Sequence, residues 1–341
     1  MKRFFFLAVA ATMAFAACNK TEVVYPEGPQ EISFTAVSKV ATKAPVAGTT
    51  FSTGDNMDVV AYLSEGGAAA GTYFTETTFS KNGSNWTGGK YWPLTPSTLN
   101  FLAVTNTGGG VAAHVENVFT TTASAQSVVS TLTGNEDKSQ TDLMFAAGHG
   151  NNTPGNYPVV SMVFKHALSW ITFKVKNGTT AGGPTITVNS ITVNDVAANG
   201  ELTVNNPKYA AAAAATGAEE CTTENLSTSW APGSTTTLQV LESDSAYADA
   251  LELTNGFVEF GKGVLVVPGN QTSFTINYTV NDGVNSNTFN YKHTITGTPQ
   301  PTWDMAKKYT YNVTITLNEI QITPSITDWT TVTPATEVPL S

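Results

Sequence analysis

Apolar residues alternate with Thr, Ser or Asn in one short run after another: "DVVAYL", "STLNFLAV", "YPVVSMVFKHALSWITFKV", "TITVNSITV", "GVLVVP", "TSFTINYTV", "KKYTYNVTITL" and "IQITPSI". Successive side chains of a strand point to opposite faces, so this two-residue period, rich in β-branched and aromatic residues, predicts half-buried strands. Clusters of Gly, Pro and Asn separate the runs and supply the turn chemistry. With no helical period between them, the runs predict an all-β chain folded as two antiparallel sandwiches. Only Lys208–Glu220, "KYAAAAAATGAEE", reads as a helix, and it reads equally well as a low-complexity loop.

The amino end has a different logic. Lys2 and Arg3 precede an apolar run from Phe4 to Ala16, and Cys18 follows two alanines, which is the layout of a secretory signal peptide over residues 1–17. At 13 residues the run is too short for a membrane span, which needs about 20. "FAAC" resembles a bacterial lipobox with Phe15 in the usual leucine place, so Cys18 is the expected lipidation site and the only contact with a membrane. The other cysteine, Cys221, then has no partner; no disulfide is expected, and Cys221 reads as a small hydrophobe. Residues 18–30, "CNKTEVVYPEGPQ", read as a linker, 31–167 as the first sandwich and 168–341 as the second, with "NGTTAGGP" at Asn177–Pro184 as an alternative joint.

Charge excludes one class of partner. The chain carries a net charge of −10, which becomes −12 without Lys2 and Arg3, and Arg3 is its only arginine. Such a chain repels phosphate backbones, so nucleic acid is not an expected partner. Nor is there a constellation for catalysis. His114, His149, His166 and His293 have no second ligand at metal-binding spacing. "GHGNN" lacks the Lys-Ser/Thr of a phosphate cradle, and no GxSxG occurs. Adjacent acids such as Glu136 and Asp137 face opposite ways on a strand and read as solvated charge. No catalytic residue, metal or cofactor is therefore expected. His166, in step with Phe164 and Leu168, reads as a packed histidine. Trp86, Trp92, Trp170, Trp230, Trp303 and Trp329 read as core, with a sugar-stacking platform as the alternative. "DSA" at Asp244–Ala246 resembles a short O-glycosylation acceptor.

In "EISFTAVSKVATKAP", Ile32, Phe34 and Ala36 alternate with Glu31, Ser33 and Thr35 and should point inward, with Val40 continuing the row across a bulge. Burial of three to five such side chains is worth on the order of 10 kcal/mol. Lys39 and Lys43 end the stretch and are the only basic residues between Lys20 and Lys81. They read either as solvating charge on an edge strand or as sites for a protease of tryptic preference, with Lys43 favoured because "PVAG" after it reads as loop.

These stretches, together with "GKYWPL", "DLMFAAG" and "WDMAKKYTYNVTITLNEIQITPSITDW", follow one another along nearly the whole chain in an order that resembles the fimbrillin family of Bacteroidetes, the subunits of type V pili. Two departures are Ala306, where the family commonly has glycine, and "PGNQ" in place of Pro-Gln. The resemblance implies two transthyretin-like sandwiches in a lipoprotein precursor carried to the cell surface. It implies that a trypsin-like surface protease removes the first strand and that a strand from a neighbouring subunit fills the gap. Expected partners are thus that protease and other pilin subunits: further copies, tip and anchor. The incoming strand is expected near the C-terminus, where Ile320, Ile322, Ile326, Trp329 and Val332 are interrupted by Pro324 and Pro334. Such a tail favours a stalk subunit over a tip adhesin. A monomeric glycan-binding surface lipoprotein is the competing reading; a hydrolase lacks a nucleophile or metal set.

Overall fold

The computed structural model describes residues 28–37, 51, 53–65, 68–105, 115–122, 125–135, 138, 140–153, 155–206, 222–243 and 246–329. Cys18, Lys39, Val40, Lys43, His114, Lys208–Glu220, Cys221 and Val332 lie outside them. The described residues form strands joined by turns, with one 3-10 turn at Thr223–Asn225. Among them, no helix is long and apolar enough to cross a membrane.

The first sandwich is built on an eight-stranded sheet. Its spatial order is Lys165–His166, Met144–Asn152, Ser97–Thr105, Asn56–Glu65, Ala68–Asn82, Asn85–Tyr91, Glu31–Val37, Val160–Val163. The sheet curls until Val160–Val163 lies against Met144–Asn152. Two glycines permit this approach: a Cβ on Gly148 would sit 2.6 Å from Met162 Sδ, and one on Gly150 would sit 2.6 Å from the Trp92 ring. Inside the curl, Ile32, Phe34, Val59, Phe79, Trp86, Phe101, Met144 and Met162 form one core. Alternate residues of the same strands, Val60, Tyr62, Leu102, Val104 and Phe145, face the other way into a second core. A four-stranded sheet closes that core, in the order Ser227–Pro232, Gly200–Asn205, Ala125–Leu132, Val115–Thr122. Ser97–Thr105 is therefore covered on both faces, which explains why "LNFLAV" loses its polar alternation.

The second sandwich pairs a six-stranded sheet, ordered Ala246–Tyr247, Leu241–Ser243, Val258–Val266, Ser169–Asn177, Lys307–Ile315, Ile320–Asp328, with a five-stranded one. The latter runs Thr235–Gln239, Thr185–Ala197, Ser273–Asn281, Ser286–Thr294, with Leu251–Glu252 beside Thr185–Ala197. Phe173, Ile186, Val188, Phe260, Phe274, Trp303, Tyr309 and Tyr311 fill the space between them. Burial there pushes the Tyr311 phenol well above its usual range.

The fold is all-β, as the alternation predicts, but not wholly antiparallel. Glu31–Val37 runs parallel to Val160–Val163, and Ser169–Asn177 runs parallel to Lys307–Ile315. Nor do the sheets divide at residue 167. The hairpin Gly200–Asn205/Ser227–Pro232, from beyond that point, pairs with Ala125–Leu132 over six residues. Ala167, Leu168, Trp170, Leu265 and Trp329 join Val60 and Tyr62 in a single cluster, so the two sandwiches share a core.

Candidate functional site

The first strand is an internal strand. Its amino half pairs antiparallel with Asn85–Tyr91, through Glu31↔Tyr91, Ser33↔Thr87 and Phe34↔Trp86. Its carboxyl half pairs parallel with Val160–Val163, from Phe34↔Val160 to Val37↔Val163. Gln30 and Glu31 secure its start, where the Trp92 amide donates to Gln30 O at 2.9 Å and the Gly89 amide donates to Glu31 Oε1 at 2.8 Å. Among the described residues, Val160–Val163 has no other ladder in the sheet.

Ile32 and Phe34 are fully buried and Ala36 is half-buried. The Phe34 ring meets Phe79 and Phe101 edge-on, with centroids at 4.9 and 5.0 Å. Edge-to-face pairs of this kind add to the value of burial. Two large inward side chains rather than three to five lower the expected hydrophobic contribution to about 3–6 kcal/mol, before ladder bonds. Strand Glu31–Val37 thus occupies a groove walled by Phe79 and Phe101 and bounded by two strands that would otherwise be edges. Exposed edges template pairing with another chain.

At the other end of the chain, Ile320–Asp328 is the outermost strand of the six-stranded sheet and pairs along its whole length with Lys307–Ile315. Ile320 and Ile322 pack against the core between the two sheets of the second sandwich, while Ile326 is 59% exposed. Trp329 turns away from that sheet into the shared core. Its ring stacks on His166 with centroids 3.7 Å apart and planes 3° from parallel, and its amide donates to Ala306 O at 2.9 Å. His166 Nδ1 in turn lies 3.0 Å from Asp142 Oδ1, both residues being buried. The Trp170 ring lies 5.4 Å from that of Trp329 and carries the Lys308 ammonium 3.9 Å from its centroid, and burial lowers that lysine's pKa from the usual value.

The donor residues expected from sequence therefore stand in different settings. Ile320 and Ile322 are held by their own sandwich, Trp329 anchors the root of the following segment, and residues 330–341 include Val332. Sequence reasoning did not find the groove walls Phe79 and Phe101, the enabling glycines Gly148 and Gly150, or the partners of His166. The glycines stand in "AAGHGNN", where their spacing invites comparison with phosphate loops rather than with close strand packing.

Ala306 adopts φ +59°, a left-handed conformation that costs a residue bearing Cβ roughly 1–2 kcal/mol. Part of this is offset by the lower chain entropy of alanine in the unfolded state. Ala306→Gly is accordingly expected to raise stability by roughly 0.5–1 kcal/mol, seen as a higher denaturant midpoint with an unchanged slope.

The tryptophans supply no sugar platform. Trp86, Trp92, Trp170, Trp303 and Trp329 are buried, and half-buried Trp230 donates Nε1–H to Ala167 O at 2.9 Å. Among the described residues there is also no cluster of three or more metal-ligating side chains.

Comparison with known proteins adds an independent observation. The chain matches the family model described as fimbrillin-like over residues 41–329, so the match begins just after the first strand. Its fold is similar to that of a fimbrial protein from Bacteroides vulgatus, with a TM-score of 0.56 at 15% identity, covering 80% of this chain and 93% of that one. A candidate cell adhesion protein from Bacteroides uniformis gives a TM-score of 0.46 at 16% identity, covering 88% and 98%. The tip fimbrial protein Mfa3 from Porphyromonas gingivalis gives 0.35 at 11% identity, covering 87% and 100%. No curated protein matches.

Proposed function

This chain belongs to the fimbrillin-like family, and from that premise we propose that it is a structural subunit of a cell-surface fimbria, assembled by exchange of its first strand. In this reading the chain is exported as a precursor lipidated on Cys18. A trypsin-like protease cuts after Lys43, or after Lys39, and Glu31–Val37 leaves. A strand from a neighbouring subunit then enters the groove, which is recognition by strand addition. Because one subunit's tail fills another's groove without closing a ring, the contact propagates as a filament. In this reading the donor strand comes from the carboxyl-terminal stretch that runs from Ile320 through Trp329 to Val332, and the subunit is assigned to the stalk. Partners are other pilin subunits, including tip and anchor, and the protease. The function is structural and needs no cofactor.

One observation carries this reading: a short internal strand with fully buried Ile32 and Phe34 is joined to the rest of the chain through a segment holding the only basic residues between Lys20 and Lys81. A strand so placed contributes to folding, yet a single cut converts it into a separate peptide. The competing picture of a monomeric glycan-binding lipoprotein loses its proposed platform, since none of the six tryptophans is exposed.

The test uses purified precursor and a low dose of trypsin. The expected product is a ladder of polymers that resists detergent and collapses on boiling. Lys39→Ala combined with Lys43→Ala should abolish both the cut and the ladder. A ladder that persists in the double variant would refute the assigned cleavage, and a trimmed protein that never polymerises would refute strand exchange.

A further inference from the structure

The outer face of the six-stranded sheet carries a cleft that strand exchange does not use. On Ser169–Asn177 the side chains of Ile171, Phe173 and Val175 enter the core of the second sandwich, so Trp170, Thr172 and Lys174 face outward. Lys308 pairs with Trp170 across the parallel ladder and Glu259 pairs with Lys174 across the antiparallel one, which brings both to the same face. Lys262 reaches it through a bulge. Residues 261–263 stand opposite Thr172 alone, between the pairs Phe173↔Phe260 and Ile171↔Val264. Gly261 and Gly263 have φ of +61° and +93°, and a Cβ on Gly263 would lie 2.1 Å from Ile171 O, so this backbone path requires glycine. Bulges re-aim a side chain, and Trp170 Nε1–H, donating to Lys262 O at 2.8 Å, fixes this one in place.

Lys174, Lys262 and Lys308 thus line one cavity of about 100 Å³ together with Trp170 and Thr172. In a chain with 16 basic residues and a net charge of −10, this is a local concentration of positive charge. Among the described residues that line the cavity, Glu259 is the one carboxylate, so three ammoniums against one acid leave two positive charges in excess. The groups feel one another: burial lowers the Lys308 pKa, Glu259 opposes that shift and the Lys174 charge adds to it. An anion in the cavity relieves both the repulsion and the poor solvation. Beyond the cavity, the outward positions of Lys307–Ile315 and Ile320–Asp328 hold Thr310, Asn312, Thr323 and Ser325 and no apolar side chain. A protein interface centres on aromatic or aliphatic anchors, which this face lacks. Hydroxyls and amides beside a site for one anionic group suit a sugar chain instead.

We propose that this cleft holds the sulfate or carboxylate group of an acidic polysaccharide, with the adjoining sugars lying along the hydroxyl row of the sheet. Lys174, Lys262 and Lys308 bind the anionic group, and Glu259 limits the affinity. No tryptophan stacks on the sugar, since the Trp170 ring already carries Lys308. The site needs no removal of the first strand, so it is complete in the uncut precursor.

Titration calorimetry on the uncut full-length precursor at low ionic strength tests this with three probes: a heparin-derived hexasaccharide bearing sulfates and carboxylates, a hyaluronan hexasaccharide bearing carboxylates alone, and polyglutamate of matching charge. The heparin-derived saccharide is expected to bind, with an affinity that falls as salt rises. Binding of hyaluronan as well would show that a carboxylate suffices, and its failure would assign the sulfate; either result supports the site. Lys174→Gln, Lys262→Gln and Lys308→Gln should each weaken binding about fivefold or more, and Glu259→Gln should strengthen it about twofold or more. Lys292→Gln, exposed on the other sheet, should stay within about twofold of the parent. The gain in Glu259→Gln separates a binding role from a structural one, because loss of folding does not tighten a complex. Binding of neither saccharide, equal losses in Lys292→Gln, no gain in Glu259→Gln, or polyglutamate binding more tightly than both saccharides would each overturn the proposal, the last by assigning the face to an acidic protein. None of these outcomes bears on strand exchange.

Discussion

Phe34→Ala should cost the precursor about 3–5 kcal/mol and cost the processed subunit nothing. The first half follows from packing. The side chain is fully buried between Phe79 and Phe101, and truncation leaves a cavity that the two rings, held by their own strands, fill only in part. The second half follows from processing, since a subunit cut after Lys39 or Lys43 no longer contains residue 34. Urea unfolding of intact precursor and of filament-derived protein, each with and without the substitution, separates the two statements. A loss below 1 kcal/mol in the precursor would show that the groove is looser than its geometry indicates. A variant residue still present in filament-derived protein would show that the strand is retained. Because the trimmed strand also leaves more readily, polymerisation after cutting should be no slower than in the parent.

Trp329→Ala is expected to destabilise the chain by about 3–5 kcal/mol, and by a mechanism that involves both sandwiches. Trp329 comes from the end of the second sandwich but is 6% exposed in a core that also holds Val60, Tyr62, Leu168 and Leu265. Truncation removes the 3.7 Å stack on His166 and opens the space around the buried His166–Asp142 pair. A buried polar pair that loses cover on one face is left with poorer compensation for its own desolvation. The accompanying signature is a drop in cooperativity, with the two sandwiches unfolding at separate denaturant concentrations. Retention of a single transition at the parental midpoint would refute a shared core with Trp329 at its seam. In the assembly reading Trp329 belongs to the donor stretch, so the variant should also slow ladder formation under conditions in which it stays folded.

Much of this architecture was legible from period-two patterning alone. "TITVNSITV" and "TSFTINYTV" pair antiparallel within Thr185–Ala197 and Ser273–Asn281, with a register shift between Val188 and Ser190 that keeps Ile186, Val188, Ile191 and Val193 inward. Phe34 and Ile32 were legible for the same reason, since parity within one strand is a local property. Parity does not reveal whether an opposing layer extends over a residue. Ile326 shares the parity of Ile320 and Ile322 but lies 59% exposed on the outermost strand. Strand direction was also out of reach, because parallel pairing joins segments more than a hundred residues apart, as with Phe34↔Val160 and Trp170↔Lys308. The His166–Trp329 stack and the approach of Val160–Val163 to Gly148 are equally non-local. The groove could be anticipated from its plug, but not its walls, which come from strands carrying Phe79 and Phe101.

Hydrogen exchange in Asn85–Tyr91 and Val160–Val163 tests the central claim most directly, because these strands flank Glu31–Val37 on either side. In intact precursor their ladder amides should be protected. After the cut and removal of the first strand, protection should fall in both strands while Ser97–Thr105, covered on both faces, keeps its own. On polymerisation protection should return to both, with residues 31–37 absent from the filament. Unchanged protection in the two flanking strands throughout, or residues 31–37 still protected within the filament, would contradict strand exchange at this groove.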